Sequence, residues 1–525
     1  MSTALLCSDL AYSTPDGTCV LDGLDLELGS GRTGLVGVNG SGKSTLLRLA
    51  AGLIRPSRGS VTVRGEAGYL PQDLTLSTGR RVDEVLGVAR TRAALRAIER
   101  GDVRDENFAA VGDDWDVEER AAATLGRLGL GRIGLDRRVG ELSGGESVLL
   151  ALAALLLRRP AVLLLDEPTN NLDRSARRRL DEALAGFPGT VLVVSHDRSL
   201  LRLVDGVVEL RDGRARQYGG NLDAYEAAVR AEQATAERLV SAARADVRRQ
   251  HRELVDAQTR LARRARYGRE RRDDQPKILT GARKRKAQVS AGRERGVHEG
   301  RLEVARERLA AAEEAVRSDA VIRVDLPLTE VPAGRGVLRL TGAVLPSGET
   351  VSLDVRGPER IALVGPNGSG KTTLLEAVAG RPAPGGGRVD VRVPVRYLPQ
   401  RLDVLDDARS VVDNVSRAAP SASVNEVRAR LARFGFTGRR GEQTVATLSG
   451  GERFRATLAA LLLAEPAPQL LLLDEPTNTL DLAGVRSLTE ALAGYRGALV
   501  VASHDDDFLE EIGVTRTVRL GARSG

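Results

Sequence analysis

The chain has 525 residues, too many for a single small module, and predicts two or three domains with cores of their own. Aromatic residues make up only 3% of it, so the cores must be aliphatic, which favours an α/β class of sheets covered by helices. Two cysteines, Cys7 and Cys19, give no disulfide framework and no metal-ligand spacing, and no stretch is apolar enough to be an integral membrane segment, so we expect a cytoplasmic protein.

The first recognisable element is a glycine-rich loop that follows an apolar run and opens a predicted helix. It reads GVNGSGKST from Gly37, and a near copy, GPNGSGKTT, begins 328 residues later at Gly365. Glycines in such a P-loop let backbone N–H groups wrap phosphates, and the helix N-terminus favours their negative charge. We predict that ATP phosphates bind two sets of residues: Gly37, Asn39, Gly40, Ser41, Gly42, Lys43, Ser44 and Thr45, and Gly365, Asn367, Gly368, Ser369, Gly370, Lys371, Thr372 and Thr373.

Four further motifs follow each loop in the same order: YLPQ, LSGGE, LLLDEPTN and SHD. YLPQ recurs at an offset of 328 residues, LSGGE at 306, and the last two at 308. This order predicts a duplicated domain, and the fall in offset places 22 extra residues in the first copy, within about 90–119.

The apolar runs before Asp166 and Asp474 predict buried parallel strands that deliver acidic residues to one edge of a sheet. These aspartates, with the hydroxyls of Ser44 and Thr372, are predicted to hold Mg²⁺. The catalytic candidates beside them comprise a carboxylate that would orient or deprotonate the attacking water and a histidine that would sense the γ-phosphate. They are Glu167, Glu475, His196 and His504.

Between the two copies lies a segment of different composition. Residues 222–264 and 300–317 are rich in Ala, Glu, Arg and Leu, which predicts two long helices, and 266–295 is predicted to be the turn between them. From 260 to 295 there are 14 basic and four acidic residues, a net charge of +10, while the whole chain is +7. The charge is therefore concentrated in one basic tip, about 265–296, which holds three of the five lysines.

This five-part pattern, present twice, resembles the ATP-binding cassette. The resemblance implies composite sites, in which the P-loop of one half faces the signature of the other, and a D-loop that crosses between the halves. It also implies that a Q-loop glutamine reaches Mg²⁺ and that an aromatic residue, here Tyr12, stacks on adenine. The implied residues are Gln72 and Gln400 in the Q-loops, Ser143, Gly144, Gly145, Ser449, Gly450 and Gly451 in the signatures, and Asp173 and Asp481 in the D-loops.

The chain resembles the ABC-F group, because it has two fused cassettes, a linker of about 100 residues and DEPTN-x-LD in both halves. The variable position of that motif is His in most members of the group, but it is Asn171 and Thr479 here. The resemblance implies the domains 1–218, 219–320 and 321–525, paired within a monomer, and a linker that enters the ribosomal exit site. It predicts contacts with rRNA and tRNA through Lys277, Arg283, Lys284, Arg285 and Lys286.

The tip sequence PKILTGARKRKAQVSAG resembles that of resistance proteins that protect ribosomes from antibiotics. A general ABC-F translation factor is the first alternative. The ATPase subunit of a membrane transporter and a DNA-associated ATPase are the others, and a solvated charge run is the alternative explanation of the basic tip.

Overall fold

The computed structural model describes residues 3–74, 77–170, 172–270, 277–315, 324, 326–345, 348–381, 386–400, 403–478 and 480–521. For 261, 264–270, 277–292, 294, 295 and 315 it describes the backbone alone. The chain forms two compact units. One contains the first cassette, up to Asp223, together with the second cassette, from Ala320 onward, and the other is the linker, Ala224–Asp319.

The first cassette contains two sheets. A three-stranded antiparallel sheet has the order β2-β1-β4, and a six-stranded sheet has the order β5-β6-β7-β3-β8-β9, in which only the last pair is antiparallel. The strands are β1 Leu5–Ser13, β2 Cys19–Leu28, β3 Gly31–Val36, β4 Arg58–Val63, β5 Ala67–Leu70, β6 Val162–Asp166, β7 Thr190–Val194, β8 Gly206–Arg211 and β9 Arg214–Gly219.

Eight helices accompany these strands in the described part of the first cassette. They are α1 Lys43–Ala50, α2 Val82–Leu86, α3 Ala89–Glu99, α4 Asp105–Val111, α5 Val117–Arg127, α6 Gly144–Leu157, α7 Arg174–Ala185 and α8 Arg198–Leu201. Every residue of β6 and β7 is buried, as expected of central parallel strands covered on both faces. Aliphatic side chains between the two sheets form the core beneath the P-loop.

The region where the first copy is longer contains α3 and α4. Arg92 of α3 is 5% exposed, and its guanidinium lies 2.9 Å from Asp83, 2.6 Å from Glu118 and 2.7 Å from Asp136. These carboxylates raise the pKa of Arg92, and the guanidinium lowers that of Asp136 to about 2. One buried arginine thus ties α3 to the helices on either side of the extra segment.

The second cassette repeats this plan. Its sheets have the orders β11-β10-β13 and β14-β15-β16-β12-β17. Its strands are β10 Gly336–Val344, β11 Thr350–Arg356, β12 Arg360–Val364, β13 Arg388–Val391, β14 Val395–Leu398, β15 Leu470–Asp474, β16 Ala498–Ala502 and β17 Arg516–Arg519. Its helices are α11 Lys371–Val378, α12 Val411–Ala418, α13 Val424–Ala432, α14 Gly450–Leu462, α15 Leu482–Ala493 and α16 Asp506–Glu511.

The linker contains the helices α9 (Leu222–Glu270) and α10 (Lys277–Ala315). Arg244, in the first half of α9, pairs with Glu313 at the end of α10 at 2.8 Å, so the two helices run antiparallel. Residues 266–270 and 277–295 are helical, so the turn predicted over 266–295 was too long. Glycines at 268 and 281 cost a helix only about 1 kcal/mol each, which long helices tolerate. The predicted α/β fold with a helical linker is confirmed.

Candidate nucleotide sites

The P-loop of the first cassette connects β3 to α1. A side chain at Gly37 would place its Cβ 2.3 Å from the carbonyl oxygen of Leu210, so only glycine fits there. Gly42 has a φ of 98° and directly precedes the first residue of α1. The loop therefore aims the free N–H groups of a helix N-terminus at one spot, the geometry that binds phosphate.

The two P-loop lysines lie across these loops. Lys43 Nζ donates to the carbonyls of Gly37 and Val38 at 2.8 and 3.1 Å, and Lys371 Nζ donates to Gly365 and Pro366 at 2.8 and 3.2 Å. Burial lowers the pKa of both amines. A phosphate in the loop would supply the anion that such a buried ammonium needs.

Asp166 ends β6 beside the first P-loop. Its carboxylate accepts hydrogen bonds from Ser44 Oγ at 3.1 Å and from the Tyr69 hydroxyl at 3.4 Å. In the second cassette, the Tyr397 hydroxyl donates to Asp474 at 3.1 Å. Sequence reasoning missed both tyrosines, although each begins a YLPQ motif, and the repeat itself was the signal that could have found them.

The residues around these aspartates fit Mg²⁺. That ion keeps several waters and takes only one or two carboxylates from the protein, with a hydroxyl and an amide oxygen as further ligands. Within the described residues no group of three or more His, Cys, Asp or Glu could hold a metal by itself. Asp474 Oδ1 is buried there without a hydrogen-bond partner, as is Oε2 of the neighbouring Glu475, so a nearby cation or water would stabilise these carboxylates.

Glu167 follows Asp166 and has a left-handed backbone, with a φ of 49°. Its Oε1 lies 3.1 Å from His196 Nε2, and burial raises the pKa of the carboxyl to about 7. Burial and the charge of Lys43 lower the pKa of His196 well below its usual value, so its imidazole is neutral at pH 7, and the tautomer with its proton on Nε2 can donate to the carboxylate. The histidine thus orients the carboxylate at the edge of the cavity.

The second cassette places the same pair differently. Glu475, with a φ of 44°, lies 3.4 Å from His504 Nε2, and burial raises its pKa. The same nitrogen lies 3.3 Å from Lys371 Nζ. Burial lowers the pKa of His504 to about 4, so its imidazole is also neutral at pH 7.

The two cassettes meet at the first site. Asp481 of the second cassette accepts a hydrogen bond at 3.0 Å from the backbone N–H of Asn39 in the first P-loop. A Cβ on Gly450, in the second LSGGE motif, would lie 3.8 Å from the Asn39 Cβ. The P-loop of one half therefore lies against the D-loop and signature of the other.

Each P-loop borders a cavity that also contains a residue of the opposite cassette. The first cavity, of about 530 Å³, includes Asn478 of the second cassette, and the second, of about 350 Å³, includes Leu172 of the first. The predicted residues that line them are Asn39, Gly40, Gly42, Lys43, Ser44, Thr45, Gln72, Asp166, Glu167 and His196, and Asn367, Gly368, Gly370, Lys371, Thr372, Thr373, Gln400, Glu475 and His504.

Other predicted residues lie at the helix ends around these cavities. Ser143 and Ser449 cap α6 and α14 in reciprocal hydrogen bonds with Glu146 and Glu452, and Asp173 and Asp481 cap α7 and α15. Gly144 lines a further cavity of about 500 Å³, which shares Gln72, Glu167 and Asn170 with the first cavity.

Tyr12 lies in β1 and packs against the aliphatic core, and it is not among the residues that line the first cavity. The five predicted tip residues belong to the helical backbone of α10, but their side chains lie outside the described part of the chain, as do Asn171 and Thr479.

Comparison with known proteins agrees with this geometry. A family model described as ABC transporter matches residues 21–170 and 349–478. The tylosin resistance ATP-binding protein TlrC of Streptomyces fradiae is 36% identical over 93% of this chain and 92% of its own length. The energy-dependent translational throttle protein EttA of Mycobacterium tuberculosis is 32% identical over 94% of this chain and 87% of its own. The chain belongs to the ATP-binding cassette family, in its ABC-F group.

Solved structures support the fold of this ABC-F protein. An RNase-L inhibitor aligns over 98% of the chain with a TM-score of 0.56 and 18% identity. An archaeal ribosome recycling factor, solved in complex with an archaeal ribosomal stalk protein, aligns over 97% with a TM-score of 0.55 and 21% identity. None of the helices in the described ranges is long and apolar enough to cross a membrane.

Proposed function

We propose that this ABC-F protein hydrolyses ATP at two composite sites and that ATP holds its cassettes together. The hydrogen bond from the Asn39 N–H to Asp481 carries this proposal, because it joins the P-loop of one cassette to the D-loop of the other. A nucleotide bound there would contact both halves at once and would stabilise the closed pair. Hydrolysis would remove that contact and allow the halves to separate.

In the proposed reaction, a water oxygen forms a bond to the γ-phosphorus as the bond from that phosphorus to the β–γ bridging oxygen breaks. Glu167 or Glu475 accepts the proton of the water, and ADP leaves with the bridging oxygen. A carboxyl with a pKa of about 7, as at Glu167, is well matched to accept a proton at neutral pH. The neighbouring histidine keeps the carboxylate oriented.

Ser44, Asp166 and Gln72 would hold Mg²⁺ in the first site, and Thr372, Asp474 and Gln400 in the second. Bound Mg²⁺ neutralises charge on the β- and γ-phosphates. The chain itself keeps the two aspartate carboxylates in position. Tyr69 and Tyr397 donate hydrogen bonds to the two aspartates and so fix their carboxylates in one orientation.

For the partner we propose the ribosome, in the cytoplasm. The stretch 260–295 has a net charge of +10, and its described residues lie on two antiparallel helices, a form suited to neutralising RNA phosphates in a narrow channel. This chain aligns with at least 87% of the length of each of two relatives, one named for tylosin resistance and one for translational throttling. We further propose that the linker tip points toward the peptidyl-transferase centre, with ribosomal and transfer RNA as its contacts.

Among ribosomal roles we propose protection from an antibiotic. The resistance relative is 36% identical and the throttle protein 32%. A general translation factor is the second candidate, since the throttle protein matches over nearly the same length. A transporter subunit is the third, because the family model carries that description.

Pelleting with ribosomes tests the partner. The Glu167→Gln, Glu475→Gln variant should co-pellet with 70S ribosomes when ATP is present and remain in the supernatant without it. Adding Lys284→Ala, Arg285→Ala and Lys286→Ala should weaken pelleting and flatten its salt dependence by about three counterions. The matched control removes three exposed arginines from the same helix, Arg301, Arg306 and Arg308, and should weaken pelleting less. Absence of pelleting with ATP would contradict the proposed partner, and pelleting independent of ATP would contradict the proposed dependence of binding on closure.

Expression in a tylosin-sensitive bacterium tests the role. The unchanged chain should raise the inhibitory concentration of tylosin, and the Glu167→Gln, Glu475→Gln variant should not. Ribosome binding without any change in susceptibility to tylosin or other drugs of the peptidyl-transferase region would favour the general translation factor.

A further inference from the structure

A set of ion pairs joins the cassettes outside the nucleotide sites. Arg202 Nη1, just after α8 of the first cassette, lies 2.6 Å from Asp507 Oδ2 in α16 of the second. Arg198 pairs with Glu511, and Arg174, the first residue of α7, pairs with Asp506. We call these six residues the interface latch.

The latch is complementary in charge but not symmetric. At the offset of 308 residues that relates the two SHD motifs, Arg198 corresponds to Asp506 and Arg202 to Glu510. The same turn of structure is therefore basic in the first cassette and acidic in the second. Two first cassettes, or two second cassettes, would bring like charges together, so the latch fits only the pairing of unlike halves.

Five of the six latch residues lie in or next to α8 and α16, and both helices begin beside a candidate catalytic histidine. Helix α8 starts two residues after His196 and α16 two residues after His504. Asp197 caps α8 and is held by Arg177 at 2.9 Å, and Thr489 of α15 donates to Glu511 at 3.3 Å. A shift of either histidine with its nucleotide would therefore be transmitted to the ion pairs through a single short turn.

Arg202 also reaches the start of the linker. Its Nε lies 3.3 Å from Asp223 Oδ1, in the first turn of α9, and its carbonyl oxygen accepts a hydrogen bond from Asn221 at 3.4 Å. One guanidinium thus bridges a carboxylate of the second cassette and a carboxylate at the foot of the linker helix. Both partners raise the pKa of Arg202.

We propose that the interface latch selects the correct cassette pairing and couples closure of the cassettes to the foot of the linker through Arg202. Single exposed ion pairs contribute little, but the Arg198 side chain is only 10% exposed, and three neighbouring pairs act on one surface. The inference rests on the proposed ATP-driven closure and is independent of the ribosome.

A charge swap tests the latch in purified full-length protein. In the Glu167→Gln, Glu475→Gln background, the rate at which prebound radiolabelled ATP is lost after a chase reports how firmly the cassettes stay closed. Arg202→Glu or Asp507→Arg alone should speed this loss about fivefold to tenfold, corresponding to about one broken charge pair. Both changes together should recover a clear part of the lost retention, because they rebuild the 202–507 pair with reversed charges while the new acidic side chain still faces Asp223.

The matched control reverses an exposed pair within α7, Arg178 with Glu182, whose side chains are 78% and 63% exposed. These substitutions should leave ATP retention unchanged. If the Glu167→Gln, Glu475→Gln protein itself fails to retain ATP, the proposed ATP-driven closure is wrong. Normal retention in the parent with either no effect of the single changes or no rescue by the swap would overturn the latch.

Hydrogen exchange tests the contact between Arg202 and Asp223 at the start of the linker helix. Asp507→Asn, a change in the second cassette, should raise exchange of backbone amides in residues 219–226 when ATP is bound, because Arg202 loses one of its two anchors. Unchanged exchange there, with retention still lost, would show that the latch does not reach the linker.

Discussion

In the first nucleotide site, Glu167 lies 3.1 Å from His196, whereas in the second Glu475 lies 3.4 Å from His504, and that imidazole also reaches Lys371 at 3.3 Å. The motifs are near copies, yet the histidine holds the carboxylate in one site and is shared with the lysine in the other. Identical motif residues can therefore occupy different hydrogen-bond networks. We expect the two sites to turn over at different rates.

Changing the carboxylates should have the largest effect. Glu167→Gln together with Glu475→Gln should lower ATP hydrolysis by about 100-fold or more, because no positioned base remains to accept the proton of the water. Each single change should leave the activity of the other site, and steady-state ATPase assays of the two singles should give unequal residual rates. Rapid hydrolysis by the double variant would contradict the assignment of both residues.

The D-loop contact should give a smaller effect. Asp481 uses Oδ1 to cap α15 and Oδ2 to accept from the Asn39 N–H. Asp481→Asn can keep the cap but turns an amide N–H₂ toward the backbone donor, so closure should weaken by about tenfold, the value of a hydrogen bond to a charged group. The rate of ATP loss from the Glu167→Gln, Glu475→Gln protein, with and without Asp481→Asn, measures this weakening of closure.

Asp173→Asn, which can keep the cap of α7, is the paired substitution at the other D-loop. If Asp481→Asn lowers thermal stability in proportion to its loss of ATP retention, Asp481 acts only as a helix cap.

The smallest expected change concerns adenine. If Tyr12 stacks on the base, Tyr12→Ala should raise the Kd for ATP about threefold to tenfold, a modest aromatic contribution. Fluorescent nucleotide binding measures it, with Tyr218→Ala in β9 as a control in the same cassette. An unchanged Kd would leave Tyr12 with the packing role that its position in β1 already gives it.

The repeat made the nucleotide sites predictable. Loops such as 37–45 carry their geometry locally, because glycines, the lysine and the helix start all lie within nine residues. The strands ending at Asp166 and Asp474 were predictable from their unbroken apolar runs. The fold class and the helical linker follow from such local signals.

Contacts between distant segments were not predictable. Arg92 meets carboxylates 9, 26 and 44 residues away, and nothing in the local pattern marks it as buried. The latch joins residues more than 300 positions apart, and its only trace in the sequence is the reversal of charge between Arg198 and Asp506. Such contacts depend on how finished elements pack rather than on how each one forms.

The left-handed backbone at Glu167 and Glu475 has a practical consequence. A residue with a side chain is strained by about 1–2 kcal/mol at such φ values, and each glutamate also carries the cost of a buried carboxylate. Glycine at either position would relieve both costs and abolish the chemistry. A directed-evolution screen that selects this protein for heat resistance alone would therefore enrich inactive variants, and needs an activity selection beside it.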